Sequence, residues 1–318
     1  MKKEYVIGID TSNYTTSVAV VDIGGALVAN LKSPLPVKEG ERGLRQSDAL
    51  FAHTKNLPEL LDTARELVRD GTVVAVGVST RPRNKEGSYM PCFLAGVSAA
   101  HSVSLGSGAP LYEFSHQCGH IMAALYSAGA EIPESFAAFH ISGGTTELVR
   151  VLTDARGFVC ECVGGTKDLN AGQIIDRIGV YMGLPFPSGK YMEEAALANT
   201  APIPKRKPTV SGTETNLSGL ENIAARLYDE TGNRELASAF VFEYIGRSVE
   251  MMCDSYVSAY GDMPFVFAGG VMSNSIIRKR LEKKFNATFA EPALSCDNAV
   301  GIAVLALNAY KYERELKP

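Results

Sequence analysis

Two segments of the chain, about half its length apart, share one pattern: an apolar strand, a short polar turn and a second apolar strand. The first pattern joins residues 5–10 to residues 16–21, and the second joins residues 136–141 to residues 147–152. Each turn contains small hydroxyl or glycine residues followed by Thr-Thr. Apolar runs bounded by such turn residues are typical of β-hairpins, so the repeat predicts two duplicated lobes that each begin with a hairpin.

Helical patterns follow both hairpins, which indicates an α/β fold rather than an all-β one. A chain of 318 residues is long for a single core and sufficient for two lobes. Three prolines interrupt residues 199–211 and predict a linker there. The predicted helices cover residues 47–68, 235–260 and 297–314, and the further predicted strands cover residues 26–29, 73–78 and 265–268.

The turns themselves suggest phosphate binding. Residues 142–145 read Ser-Gly-Gly-Thr, and the pair Gly269-Gly270 precedes a helix that begins near Ser275. Such turns present backbone N–H groups without bulky side chains, and a helix N-terminus adds its dipole. Plain structural turns would have the same composition, so this alternative stays open.

Two of the five histidines, His116 and His120, lie four residues apart at the start of a helical stretch. Side chains at this spacing share a helix face and can bind one metal ion. Two ligands do not complete a site, so a third would have to come from elsewhere in the chain. A pair of structural histidines is the alternative.

Composition excludes several classes of protein. Six cysteines without a C-x-x-C pair indicate reduced thiols rather than a disulfide framework or a zinc site, and Cys160 and Cys162 should point the same way on a strand. A net charge of −4 disfavours general nucleic-acid binding, although basic loops at residues 81–85 and 205–207 keep local contact open. No apolar run is long enough for a membrane helix and the opening residues lack a signal-peptide core, so a cytoplasmic protein without membrane association is predicted.

Eight segments resemble, in order, motifs of the TsaD family, the tRNA threonylcarbamoyladenosine synthases, which are also known as O-sialoglycoprotein endopeptidases. His116 to His120 resembles H-M-E-G-H, residues 142–149 resemble S-G-G-H-T-x-L-V, and residues 269–274 resemble G-G-V-A-A-N. The other matching segments are residues 7–12, 168–177, 186–189, 217–220 and 296–299.

The resemblance implies an α/β fold of two actin- or hexokinase-like (ASKHA) lobes with a nucleotide cleft between them. The first lobe is expected over residues 1–130, with the final helix at 297–318 packing back on it. The second is expected over residues 131–318, with a helical insertion at about 165–235.

The resemblance also implies the ligands and their contacts. One divalent metal, iron or zinc, would be held by His116, His120 and Asp297. ATP or an acyl-adenylate would be bound, with threonylcarbamoyl-adenylate as donor and a tRNA adenosine as acceptor, and with a smaller ASKHA-like partner subunit or a second copy of the chain as partner. The residues expected to bind the nucleotide are Ser142, Gly143, Gly144, Thr145, Asp176, Gly189, Glu193, Gly270 and Asn274.

The chain departs from the family pattern mainly at acidic positions. The family's opening continues with C-D-E-T, where this chain has Asn13-Tyr14-Thr15, and the glutamate between the histidines is Cys118. Thr145 replaces the histidine of S-G-G-H-T, residues 81–87 replace a G-P-G-L loop, and Glu221 replaces the lysine of F-S-G-L-K. These changes indicate a paralogue, whose candidate catalytic residues are Ser12, Asn13, Thr15 and Cys118.

The sequence is therefore compatible with three alternative functions. The first is a metal- and ATP-dependent transferase that uses tRNA or another acceptor, with residues 81–87 as the acceptor-recognition element. The second is a nucleotide-binding partner or regulatory subunit without catalysis, which the lost carboxylates favour. The third is a metallopeptidase, which is disfavoured because Gln117 and Cys118 provide no general base beside the histidines.

Overall fold

The computed structural model describes residues 2–12, 14–36, 44–155, 157–295 and 298–316. The strands, in chain order, are β1 (Lys3–Asp10), β2 (Thr15–Asp22), β3 (Leu27–Pro34), β4 (Gly71–Arg81), β5 (Leu111–Ser115), β6 (Ser135–Ile141), β7 (Thr146–Asp154), β8 (Gly157–Thr166), β9 (Thr209–Ser211), β10 (Glu214–Asn216), β11 (Phe265–Ala268) and β12 (Ala287–Phe289). The helices are α1 (Gln46–Leu67), α2 (Phe93–Ser107), α3 (His116–Ser127), α4 (Ala171–Tyr181), α5 (Gly189–Ala198), α6 (Ser218–Thr231), α7 (Arg234–Tyr260), α8 (Ser275–Glu282), α9 (Pro292–Ser295) and α10 (Val300–Glu315).

The chain divides into two compact units that alternate along the sequence. The first unit comprises Met1–Glu134, Leu152–Cys160 and Cys296–Pro318, and the second comprises Ser135–Val151 and Glu161–Ser295. The final helix, α10, therefore belongs to the first unit.

The first unit is built on a five-stranded sheet in the order β3-β2-β1-β4-β5. β1 pairs antiparallel with β2, as the sequence predicts for the hairpin, and parallel with β4. Gly8 on β1 lies so close to α10 that an added Cβ would stand 2.6 Å from the carbonyl oxygen of Ala299. Glycine at this position therefore allows α10 to pack directly on the sheet.

The second unit contains most of a seven-stranded sheet in the order β12-β11-β6-β7-β8-β10-β9. β11 pairs parallel with both β6 and β12, and Phe139, Phe265 and Phe267 form stacked aromatic contacts among these strands. The core of this unit also includes most of the buried side chains of α7. Two sheets with interspersed helices confirm the predicted α/β class.

None of the helices among the described residues combines the length and the apolar composition that crossing a bilayer requires.

Candidate functional site

The histidine pair lies at the start of α3, in the first unit. The side chain of Ser115 caps this helix by accepting a hydrogen bond from the backbone N–H of Cys118 at 3.2 Å. His116 and His120 share one face of the helix, and their Nε2 atoms lie 2.9 Å apart. The two imidazoles therefore converge on one point, as their spacing predicts.

A buried carboxylate orients His116. Asp10, the last residue of β1, is fully buried, and its Oδ2 lies 2.8 Å from Nδ1 of His116. Its Oδ1 accepts hydrogen bonds from the backbone N–H of Ser12 at 2.8 Å and from the Ser12 hydroxyl. Burial opposes ionisation of Asp10, but the charge of His116 and the hydrogen bonds from His116 and Ser12 outweigh it and lower the pKa of this carboxyl.

This arrangement suits a metal ion. When Nδ1–H of His116 donates to ionised Asp10, the lone pair of His116 is on Nε2, the atom that faces His120. Ligand nitrogens stand about 2 Å from zinc, so neighbouring ligands of one ion are separated by about 3 Å, close to the separation seen here. The two histidines thus fit the implied metal.

The third proposed ligand, Asp297, lies outside the described residues. Within the described part of the chain, no group of three His, Cys, Asp or Glu side chains is placed to hold a metal ion. The described geometry therefore supplies two converging imidazoles and an orienting carboxylate.

The second unit contains the glycine-rich turn that follows β6. The backbone N–H of Ser142 donates to the carbonyl of Thr145 at 2.8 Å, which closes the turn. A Cβ at Gly143 or Gly144 would meet no atom within 4 Å, so space is open beside them. At Gly172 a Cβ would stand 2.6 Å from the Ser142 carbonyl, so glycine lets the first turn of α4 approach this loop closely.

The N-terminus of α8 carries an unused donor. Oδ1 of Asn274 caps the helix by accepting from the backbone N–H groups of Ile276 and Ile277, both at 3.1 Å. Nδ2 of Asn274 is buried and has no hydrogen-bond partner among the described residues. A buried donor without a partner is costly, so this amide is available to a group that can accept a hydrogen bond from it.

Two further predicted nucleotide residues are fixed by neighbouring hydroxyl residues. Glu193 accepts hydrogen bonds from the backbone N–H and the hydroxyl of Ser275, at 2.7 and 2.6 Å, which attaches α5 to the start of α8. Asp176 accepts from the backbone N–H of Ser188 at 2.8 Å, directly before Gly189 opens α5. Burial raises the pKa of Asp176, although the hydrogen bond from Ser188 opposes this effect.

The glycine pair after β11 lies in the turn between β11 and α8. Gly269 adopts a φ of 95°, and a Cβ there would stand 2.3 Å from the carbonyl oxygen of Ile141, at the end of β6. Gly270 begins the 3₁₀ turn that leads to Asn274. Only glycine fits at position 269, which brings the turn before α8 next to the end of β6.

The candidate catalytic residues have different surroundings. Ser12 is buried and bonded to Asp10, so it supports the carboxylate. Thr15 begins β2 and is half-buried, and Asn13 lies outside the described residues.

Cys118 points into a small polar cluster. Its Sγ accepts from the Ser115 hydroxyl at 3.2 Å and from Asn84 Nδ2 at 3.3 Å, and it lies 3.7 Å from Sγ of Cys160. The hydrogen bond from Cys160 lowers the pKa of the Cys118 thiol, while burial opposes this effect and the donors Ser115 and Asn84 reinforce it. The same contact with Cys118, together with burial, raises the pKa of Cys160.

Sequence reasoning missed Asp10 as a site residue. A carboxylate that ends an otherwise apolar, buried strand is the signal that could have identified it, because such a group needs a partner. Asn84 and Cys160 left no such local signal.

The family model described as "TsaD: tRNA N6-adenosine threonylcarbamoyltransferase" matches residues 42–304. The tRNA N6-adenosine threonylcarbamoyltransferase of Streptococcus suis (strain 05ZYH33) is 29% identical over 333 residues, covering 98% of this chain and 94% of that protein. The protein of the same name from Jannaschia sp. (strain CCS1) is 30% identical over 330 residues, covering 96% and 88%.

Solved structures share the fold at low sequence identity. Full-length HypF in its phosphate- and nucleotide-bound form has a TM-score of 0.61 at 12% identity, over 100% of this chain and 47% of HypF. The activator of 2-hydroxyisocaproyl-CoA dehydratase from Clostridium difficile with bound ADPNP has a TM-score of 0.54 at 15% identity, over 99% and 98% of the two chains. These likenesses confirm the predicted actin-like fold.

Proposed function

Because the chain belongs to the TsaD family of tRNA N6-adenosine threonylcarbamoyltransferases, we propose that it is a metal- and ATP-dependent transferase. The group transferred would be threonylcarbamoyl, moved from its adenylate to the exocyclic amine of a tRNA adenosine or to a different acceptor. The observation that carries this proposal is the convergence of His116 and His120, whose Nε2 atoms lie 2.9 Å apart beside a buried, orienting carboxylate.

Each proposed ligand of the metal has a distinct part. His116 and His120 would hold one divalent ion, iron or zinc, with Asp297 as the third ligand. When bound, the ion supplies Lewis-acid stabilisation of negative charge on a carbonyl or phosphate oxygen. Asp10 would hold the proton on Nδ1 of His116, and Ser12 donates hydrogen bonds that hold Asp10 in place.

The second unit is proposed to bind the nucleotide, either ATP or the acyl-adenylate. Its glycine-rich turn and the unused donor of Asn274 support this proposal, and two proteins of the same fold have been solved with nucleotides bound. The phosphate contacts are proposed for Ser142, Gly143, Gly144 and Thr145, and the remaining contacts for Asp176, Gly189, Glu193, Gly270 and Asn274.

The acceptor, a tRNA adenosine or a different group, is proposed to be recognised by a part of the chain that departs from the family's motifs. Two positions where the family motif differs now serve local contacts: Cys118 lies in the thiol cluster, and Glu221 forms an ion pair with Arg177 at 3.1 Å. The carbonyl of Pro82 accepts from the backbone N–H of Gln117 at 3.0 Å, which attaches the loop 81–87 to the start of the histidine helix. We propose this loop as the element that recognises the acceptor.

The proposed setting follows from the same family. We propose a cytoplasmic enzyme that contacts tRNA and that works with a smaller partner subunit of the same fold or with a second copy of itself. The two compact units are proposed to be the two lobes predicted from the repeated hairpins.

A non-catalytic nucleotide-binding subunit is the second candidate. The observation that favours it is the loss of carboxylates at Tyr14, Thr15 and Cys118, because a proton acceptor cannot be replaced by these groups without changing the chemistry.

The decisive experiment supplies every component of the proposed transfer reaction. Purified protein is incubated with ATP, threonine, bicarbonate, the enzyme that makes threonylcarbamoyl-adenylate, candidate partner subunits and unmodified tRNA, and the nucleosides are then read by mass spectrometry. Threonylcarbamoyl-adenosine is expected if tRNA is the acceptor. Metal and ATP binding without this product, with partner subunits supplied, would point to another acceptor or to the non-catalytic subunit.

Metal retention tests the site separately. His116→Ala is expected to lose bound metal, whereas His101→Ala, which removes an exposed histidine on α2, is expected to retain it. Equal metal content in the two variants would contradict the proposed site.

A further inference from the structure

Two thiols in the first unit lie in direct contact although they are far apart in the sequence. Cys118 is on the first turn of α3 and Cys160 is on β8, and their Sγ atoms are 3.7 Å apart. Both side chains are buried. The separation is a van der Waals contact, so neither backbone has to travel far for the sulfurs to reach the bonding distance of about 2.05 Å.

The contact is held in place by its surroundings. Asn84 donates through Nδ2 both to Cys118 Sγ at 3.3 Å and to the carbonyl of Phe158 at 3.0 Å, which joins the loop after β4, the start of α3 and the start of β8. The Ser115 hydroxyl donates to Cys118 from the other side at 3.2 Å. These hydrogen bonds therefore hold the Sγ atom of Cys118 in place against Cys160.

The neighbouring cysteine on the same strand provides a contrast. Cys162 is two residues from Cys160, and the sequence predicts that the two point the same way. In the structure Cys160 is buried, whereas Cys162 is exposed and its thiol donates to the carbonyl of Gly164 at 3.5 Å. Only one of the two is thus positioned against Cys118.

From this geometry we propose that Cys118 and Cys160 form an oxidation site, at which a hydroperoxide converts the two thiols into a disulfide. One thiol attacks the peroxide oxygen, giving a sulfenic acid and water, or an alcohol from an organic hydroperoxide. The other thiol then attacks the sulfenic sulfur, so that the S–S bond forms, the S–O bond breaks and the departing hydroxide leaves as water with the second thiol's proton. The peroxide is reduced by two electrons and the thiol pair is oxidised by two.

Proximity is the physical reason to expect a disulfide between these two thiols. Two reacting groups held in contact act at a far higher effective concentration than groups that must meet by diffusion or unfolding. The resulting bond would join β8 to α3 two residues from both His116 and His120. The oxidation involves the two thiols and is independent of the transfer reaction.

The test is mapping of disulfides in the full chain. Reduced protein is treated with hydrogen peroxide, the remaining thiols are alkylated, and trypsin is added. Cleavage after Lys85 and Arg150 releases residues 86–150, which contain Cys92 and Cys118, and cleavage after Arg156 and Lys167 releases residues 157–167, which contain Cys160 and Cys162. The expected product is these two fragments linked, with a mass two hydrogen atoms below the sum of the two fragments, each alkylated at its remaining thiol.

Single variants assign the linked pair. The link is expected to persist in Cys162→Ser, the matched control two residues away, and to disappear in Cys160→Ser and Cys118→Ser. A link that survives either of these two substitutions would overturn the proposal. The proposal would also be overturned if wild-type protein lacked the link after a peroxide treatment that oxidises Cys162. If the buried variants fail to fold by circular dichroism, fragmentation spectra of the linked Cys162→Ser peptides decide between Cys92 and Cys118.

Discussion

Replacing Asp10 with asparagine is expected to weaken metal binding while leaving the fold intact. The change keeps the size of the side chain and keeps Oδ1 as acceptor for Ser12, but it places an NH₂ group opposite Nδ1 of His116. His116 can accept from that group only if its proton moves to Nε2, the atom that faces His120. A protonated Nε2 cannot bind a metal ion.

The expected size of the effect follows from the alternatives open to His116. If the ring kept its proton on Nδ1, two donors would face each other in a buried place, at a cost of about 1–3 kcal/mol. If the proton moved, the lone pair on Nε2 would be lost. Substitutions of groups that orient metal-bound histidines lower metal affinity about 10- to 100-fold, which corresponds to about 1.4–2.8 kcal/mol.

The assay is competition for Zn²⁺ between the protein and a chromophoric chelator of known affinity. Asp70→Asn is the matched control, because Asp70 is exposed and its ion pair with Arg69 lies on the surface. The control is expected to bind Zn²⁺ as the wild type does. Wild-type affinity in a folded Asp10→Asn protein would refute the idea that Asp10 sets the tautomer of His116.

Three further predictions concern packing, titration and ligand binding. Gly301→Ala should destabilise the fold by about 1–3 kcal/mol in urea titrations, because its Cβ would stand 1.9 Å from the carbonyl oxygen of Gly119, whereas Gly106→Ala, which meets nothing within 4 Å in helix α2, should be neutral or stabilising. Asp176→Asn should raise the melting temperature of the ligand-free protein at pH 7, since the raised pKa means that ionisation of Asp176 favours unfolding; the difference should vanish below about pH 4, and a variant less stable at pH 7 would contradict this. Asn274→Ser should keep the helix cap and therefore most of the stability, yet lower ATP affinity in calorimetric titrations because the buried Nδ2 donor is gone; unchanged affinity would remove this residue from the site.

Elements with a strong local pattern of apolar residues were predictable from the sequence. The predicted strand over residues 265–268 is β11, and the predicted helix over residues 235–260 is α7, because apolar spacing alone specifies such segments. The short strand β5 and the three-residue strands β9 and β10 were not predicted. Their existence depends on a partner strand rather than on their own residues, and β9 falls within the stretch interpreted as a linker.

The candidate site likewise combines a feature that local sequence predicts with features that depend on the folded structure. The convergence of His116 and His120 follows from helical spacing, which is local information. Asp10 is 106 residues away from His116, so its role depends on β1 ending next to α3, and that is a property of the folded sheet. The contacts of Cys118 with Asn84 and Cys160 are likewise formed across separate elements, which single-sequence patterns do not encode.

The energetics of Asp10 bear on the choice between enzyme and scaffold. Burying a carboxylate costs free energy, and replacing buried ionic groups with apolar residues of similar volume is often neutral or stabilising. The cost of burying Asp10 is offset by its hydrogen bonds with Ser12 and His116. The other ring nitrogen of His116 faces His120. Fold stability alone would be served as well by an apolar residue at the end of β1. The carboxylate makes physical sense where His116 must hold its proton on Nδ1, which is the requirement of a metal ligand and of the proposed transferase.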